Sequence, residues 1–379
     1  MKKLINQLLL PVILIIGTSA LLLLSDLVQQ GKRMLPAGTD ASSSANETGK
    51  HQDYQVDKTR IIDFAQLKEN NQQPTTDELL QAGLFLNLSV RIGRPAEIIL
   101  INLVDNPVLE QAIAGVEAGL TGCGLTTGKD YRIKRYSAQG EVAQLPQITD
   151  AALRENPDAI VTVTTPVFIT AARKIRDIPL IFTVASNPAR LGIYTNKRPA
   201  NICGVYDNPP VDKLLRMASR FNSKLKNAGI IYDAAQINSL ISVEKLRLAG
   251  EQQDIQILEA TASVVSDLGL AARSLIQRGA QVIIISADNM AYTGFPAIKK
   301  VADAAGIPIY TTELELVEQG ASAGIGNNIH DWGKQSGELL AKVLAGVPPS
   351  LLPVMETDKQ QVIDPAPSKI SPAQVPQPY

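Results

Sequence analysis

Polar side chains recur at one kind of place along this 379-residue sequence: the point where a short apolar run gives way to a helix-start signal. The pairs are Asp105 and Asn106, Thr164 and Thr165, Ser186 and Asn187, Tyr206 and Asp207, then Tyr232 with Asp233 and Asp288 with Asn289. Thr311, Thr312 and Glu313 close one further run, and Asn238 with Ser239 opens a helical stretch. Taken singly, each is a cap or turn residue, because Asp, Asn, Ser and Thr side chains satisfy free backbone N–H groups at helix starts. Taken together, they supply donors, acceptors and carboxylates without a nucleophile beside a base. That is chemistry for holding a small polar molecule. Thr165 at one helix N-terminus, and Asn238 with Ser239 at another, suit a carboxylate. Asp288 suits an ammonium group.

Bond-breaking chemistry lacks its residues. The sequence holds two histidines, His51 and His330, so no histidine pair can bind zinc and no Ser–His–acid arrangement is indicated. Ser186 and Ser286 lack the Gly-x-Ser-x-Gly context of a nucleophile elbow. Residues 124–130 imitate a phosphate loop, but the spacing is one short and Asp130 stands where a hydroxyl residue should meet magnesium. Gly324 and Gly326 lack the third glycine of a dinucleotide fingerprint. No cofactor, metal or catalytic activity is expected. Cys123 and Cys203 read as two small buried thiols, with a single disulfide as the alternative. A formal net charge of −1 gives no footprint for nucleic acid, and aromatic residues at 4% give no platform for stacking single strands.

The elements that must position these residues are legible around residues 158–188, a complete βαβ unit. Its first apolar run ends at Thr164-Thr165-Pro166, a cap followed by a proline suited to a first helical turn. Its second ends at Ala185-Ser186-Asn187. The same alternation predicts strands at 98–104, 131–136, 159–163, 178–184 and 202–206. A second series predicts strands at 229–232, 255–260, 282–286, 307–311 and 321–325. Strands alternating with helices of this length predict two doubly wound parallel-sheet lobes. Ligands then sit at the carboxyl ends of the strands, in a cleft between the lobes. Lobe 1 is expected over 96–208 and 327–363, with a helix at 330–344 and a returning strand within 354–363. Lobe 2 is expected over 209–326, and 364–379 is a loose proline-rich tail.

Ahead of the lobes, Lys2 and Lys3 precede the uncharged, apolar residues 4–25, long enough to span a membrane. The positive flank puts the remainder outside the cytoplasm, in the periplasm or at the cell surface. Residues 1–28 therefore read as an uncleaved anchor, with a cleaved secretory signal as the alternative. No cysteine follows closely enough for lipid attachment. Residues 29–95 form a tether, with an amphipathic helix at 76–88.

Several dispersed stretches resemble one family. Residues 101–119 (INLVDNPVLEQAIAGVEAG) are similar to the opening strand and helix of ABC-transporter substrate-binding proteins, several of which take up tryptophan or tyrosine. Residues 158–188 are similar to the family's DLIV…TPAAQAA…DIPIVF…DP region, with Asn187 where an aspartate is usual. Asn201-Ile-Cys-Gly-Val-Tyr, residues 232–239, Asp288-Asn289 and residues 331–346 continue in the family's order. The resemblance implies the type I periplasmic-binding-protein fold, a small ligand such as an aromatic amino acid, and a membrane permease as partner. Tyr206, Tyr232, Tyr292 and Phe168 are the candidates to pack against an aromatic ring. The absence of a lipid-attachment cysteine departs from the usual lipoprotein. A membrane-tethered sensor using the same cleft is the second reading, and an enzyme of the doubly wound class the third.

Overall fold

The structure, a computed structural model, describes residues 94–357 and 361–363. The predicted anchor, the tether up to residue 93 with its helix, and the loose tail lie outside the described residues. Ala159–Val163 (β3) and Val282–Ile285 (β8) are short, apolar and buried along their whole length. Strands covered on both faces read in this way, and each lies inside a parallel sheet.

Lobe 1 is built from Ala96–Asn102 (β1), Tyr131–Ser137 (β2), β3, Leu180–Ser186 (β4), Ile202–Asp207 (β5) and Val354–Glu356 (β11). The spatial order is β2-β1-β3-β4-β5-β11, all parallel. Lobe 2 repeats it with Asn227–Tyr232 (β6), Gln256–Thr261 (β7), β8, Ile309–Thr311 (β9) and Ala323–Gly326 (β10). Gln361–Ile363 (β12) adds an antiparallel edge strand on β10. The segment expected to return to lobe 1 is thus divided, β11 joining the first sheet and β12 the second. The chain passes between the lobes after β5, after β10 and between β11 and β12.

Helices fill the crossovers: Pro107–Gly122 (α1), Leu145–Arg154 (α2), Thr165–Lys174 (α3), Val211–Phe221 (α4), Ile237–Gln253 (α5) and Leu268–Gln277 (α6). Asn289–Thr293 (α7), Phe295–Ala305 (α8), Leu314–Glu318 (α9) and Ile329–Leu344 (α10) complete the set. Between β8 and α8 the chain adds α7, a short turn held by the Asp288 cap.

After lobe 2, α10 returns to pack on α1, and glycines set the distance. A Cβ on Gly333 would lie 1.9 Å from the Ala112 carbonyl oxygen, and one on Gly119 would lie 2.3 Å from that of Lys334. Backbone therefore meets backbone, and α10 carries Trp332 against β5, where the indole N–H donates to the Val205 carbonyl at 2.8 Å. Both cysteines are free buried thiols, so the disulfide alternative is not formed. Burial pushes the Cys123 thiol up to about 11 and that of Cys203 to about 12.

Candidate functional site

A narrow cavity lies where the carboxyl ends of the two sheets face each other. It offers about 30 Å³ to the centre of a water molecule, room for two or three waters. Lobe 1 contributes Thr165, the first residue of α3, with Val184, Ala185 and Ser186 at the end of β4 and Asp207 at the end of β5. Lobe 2 contributes Asn238 from α5, Ala287 and Asn289 after β8, Tyr292 from α7 and Glu313 after β9. Pro209 and Trp332 line it from the crossings and α10.

The β4 side is shaped by unusual backbone. Val184 has φ of 51° and Thr164 has φ of 85°, conformations costly for residues with a branched Cβ. The β4–β5 register shifts between Phe182 and Ala185, which turns Ala185 and Ser186 toward the cavity. The Thr165 hydroxyl accepts the Ser186 N–H at 3.0 Å and ties the two strand ends together.

Two buried acids dominate the electrostatics. Asp207 accepts from the Asn327 amide at 2.8 Å, and burial pushes its carboxyl up to about 6. Glu313 is held by the Tyr292 hydroxyl and by Thr312 Oγ1, and burial, with Glu315 and Asp207 nearby, pushes it up to about 8. Burial also raises the Tyr292 hydroxyl well above its ordinary range, so it stays a neutral hydrogen-bonding group. Among the described residues, no Lys, Arg or His lines the cavity. The Lys245 ammonium lies behind the lining, donating to the Pro209 carbonyl at 2.8 Å. Asn238 Nδ2 donates to the Ala287 carbonyl at 2.7 Å, while its buried Oδ1 has no partner. The arrangement can bind and enclose a polar ligand.

The profile of the ABC transporter substrate binding protein family matches residues 97–366. The chain belongs to this family. It is 28% identical over 263 residues to a tyrosine-binding protein of Clostridioides difficile, covering 69% of this chain and 76% of that one. A conserved domain protein from Vibrio cholerae superposes with a TM-score of 0.69 at 25% identity, over 72% of this chain and 92% of that one. An ABC domain from Streptococcus pneumonia solved with L-Trp shares the fold, with a TM-score of 0.66 at 21% identity over 71% and 91% of the two chains. The two parallel-sheet lobes are those of type I periplasmic binding proteins. Substrate-binding proteins of this family work outside the cytoplasm on small molecules, with a permease as the general partner.

Of the residues singled out in the sequence, this substrate-binding protein brings Thr165, Ser186, Asp207, Asn238, Asn289 and Glu313 to the cavity wall, and Tyr292 among the aromatic candidates. The others lie behind it or elsewhere. Asp288 caps α7 and accepts from the N–H groups of Met290, Ala291 and Asp233 and from the Ser239 hydroxyl. Its carboxylate, expected to meet an ammonium group, is occupied by the protein itself. Asp105 takes the Gln139 amide. Asn106 caps α1 and reaches across the lobes to Thr293 Oγ1 at 3.3 Å. Thr164 is buried in the β3–α3 turn, Asn187 accepts from Ala189 N–H, and Thr311 Oγ1 accepts from Glu313 N–H. Tyr232 donates to Glu259 at 2.9 Å, while Tyr206 and Phe168 pack in the lobe 1 core. Sequence reasoning missed Trp332, the single tryptophan of the chain, along with Val184, Ala185, Pro209 and Ala287. A unique aromatic on an otherwise ordinary helix was the one available signal.

Proposed function

We propose that this protein is the extracytoplasmic solute-binding component of an ABC importer, closing its two lobes on an amino acid, with an aromatic side chain favoured. One observation carries the reading: both lobes wall one cavity with acids, amides and hydroxyls, and with Tyr292 and Trp332. Three chain crossings join the lobes, so they can part and close as hinged bodies. The closed cavity is too narrow for an amino acid to enter, so loading requires that motion. A ligand that prefers the closed arrangement shifts the balance toward it, and the permease reads the closed form. The tyrosine-binding relative and the L-Trp-bound structure support the aromatic preference. The Thr165 and Ser186 hydroxyls and the amides of Asn238 and Asn289 are the polar contacts this reading assigns to the ligand. The test is a thermal-shift screen of the full chain against the amino acids. A ligand at a hundredfold excess over its Kd adds about 2.7 kcal/mol to stability, a rise in Tm of roughly 5–10 °C. No rise with any amino acid would refute the reading.

A further inference from the structure

The cavity has an acidic end and an uncharged end, and strand order sets them apart. Asp207 sits where the chain leaves β5 for lobe 2, and it bonds Asn327 of the crossing after β10. Glu313 follows β9, the neighbour of β10, and lies close enough for Asp207 to raise its carboxyl. Both acids therefore stand at the hinge side. Thr165 follows β3 and Asn238 follows β6, two strand positions from β5 and from β9 respectively. Their helices, α3 and α5, meet across the lobes at that far end. Two strand spacings are about 10 Å, the scale of an aromatic amino acid from its ammonium to the far edge of its ring.

Asn238 is 5% exposed and lines the cavity. Its amide orientation is fixed, because Nδ2 donates to the Ala287 carbonyl at 2.7 Å and Oδ1 is left without a partner. The residue therefore offers the ligand an acceptor, not the donor that a carboxylate needs. Neighbouring donors are already spent, the Ser239 hydroxyl on Asp288 at 2.7 Å and the Asn289 amide on Gln236 at 2.6 Å. A buried acceptor is costly unless a donor meets it, so the ligand must supply one. The charged groups of an amino acid have partners elsewhere. Asp207 and Glu313 can accept from its ammonium at the hinge side. On lobe 1 the Thr165 hydroxyl accepts the Ser186 N–H and keeps its own hydrogen, and with the Ser186 hydroxyl it can donate to the carboxylate. The donor that remains for Asn238 is one on the side chain.

We propose that Asn238 sets specificity by accepting a hydrogen bond from the ring of an aromatic amino acid, so that the preferred ligand carries a phenolic O–H or an indole N–H. The inference rests on the reading of this cavity as an amino-acid site and narrows which amino acid it takes. Tyr292 and Trp332 supply flat apolar surface for the ring, whatever its substituent. Phenylalanine can use that surface but leaves Asn238 Oδ1 unmet when the lobes close. A site built around a buried polar group rejects the analogue lacking the matching group far more strongly than it senses a missing methylene. Discrimination therefore arises on closure, when water no longer reaches the amide oxygen.

The test is calorimetric titration of the purified full chain at neutral pH with matched pairs. Tyrosine is compared with 4-fluorophenylalanine, close to it in size but without the donor, and with phenylalanine. Tryptophan is compared with benzothienylalanine, in which sulfur replaces the indole N–H, and leucine serves as an aliphatic reference. Whichever of tyrosine and tryptophan binds more tightly is expected to exceed its donor-less partner about a hundredfold. Asn238→Leu removes the acceptor at similar volume and is expected to bring that ratio within about threefold. Its folding is confirmed by its melting curve, and the smaller Asn238→Ala takes its place if it does not fold. Damage to the site in general would weaken both members of a pair alike and leave the ratio standing. A wild-type ratio below about tenfold, a ratio that survives loss of the amide, or leucine binding as tightly as the aromatic ligand would overturn this inference and leave the binding-protein reading standing. If no amino acid binds, both readings fall together.

Discussion

Replacing Glu313 with Gln should flatten the dependence of stability on pH. In the unfolded chain this carboxyl has an ordinary value near 4.5, while in the fold burial raises it to about 8. The sign follows directly. Between these two values the native state holds a proton that the unfolded state has lost, so stability falls as pH rises. The contribution is fully present below about pH 4.5 and gone above about pH 8. Each pH unit of the window is worth about 1.4 kcal/mol for one proton, so the whole window is worth on the order of 4–5 kcal/mol. Gln is close in shape to the protonated acid and can keep the contacts with Tyr292 and Thr312, but it does not titrate. The two proteins should therefore melt together near pH 5. By pH 8 or 9 the Glu313→Gln variant should melt higher, by roughly 10 °C at a few degrees per kcal/mol. Asp207 titrates with the same sign, from 3.8 to about 6, but in both proteins, so it cancels from the difference. The assay is a set of melting curves of ligand-free protein from pH 5 to pH 9. A gap that stays constant across that range would show that Glu313 is not held neutral by burial, and the reasoning about the site's charge would fail with it.

The α1–α10 contact yields a second expectation. Gly333→Ala puts a methyl group against the Ala112 carbonyl and should cost about 2–3 kcal/mol, read as a lower urea midpoint with unchanged slope. Asn106 joins a helix cap to a bond across the lobes. Asn106→Ala should lose about 1 kcal/mol of stability with the cap, whereas Asn106→Asp should keep the cap and lose the donor to Thr293. If the cross-lobe bond favours the closed form, both variants weaken ligand binding and only the first lowers the urea midpoint. Cys203, fully buried with its thiol pushed up to about 12, should stay unlabelled by a thiol reagent at pH 8 until the protein is unfolded. Rapid labelling of native protein would contradict the packing around β5.

What the sequence exposes is local chemistry, and what it hides is convergence. The alternation of buried strands and capped helices was readable because β3 and β8 are continuous apolar runs and because Asn106 and Asp288 do cap α1 and α7. The same local view cannot see that the Asp233 N–H and the Ser239 hydroxyl, 55 and 49 residues away in sequence, arrive at Asp288 and fill it. It finds Asp207 and Glu313 as acids at strand ends but not the burial that raises both. Val184 gives no sign at all. A β-branched residue is the wrong choice for positive φ, so its conformation is imposed by the surrounding sheet and by the register shift beside it. Trp332 depends on the return of α10 to α1, a pairing that the four glycines Gly115, Gly119, Gly333 and Gly337 permit but do not announce.

These hidden features share one location. Backbone held in costly conformations, an amide oxygen without a partner and two buried acids gather at the facing ends of the two sheets, while the lobe cores are ordinary close-packed apolar clusters. A fold under selection for stability alone would place an apolar side chain at Glu313, since buried polar groups are often matched or bettered by apolar packing. Keeping buried acids there is sensible if a molecule that comes and goes completes their hydrogen bonding. Its binding then stabilises the closed form by the interaction the protein lacks. Opening the cleft rehydrates the acids as the ligand leaves, so the same groups that favour capture when dry hold it weakly when wet. A site built this way couples affinity to closure. Asp207→Asn should therefore weaken the ligand and at the same time make the ligand-free protein more stable above about pH 6, where the native carboxyl must otherwise be buried as a charge. Ligand titrations and melting curves on the one variant test both halves, and a variant less stable than wild type at pH 8 would refute the coupling.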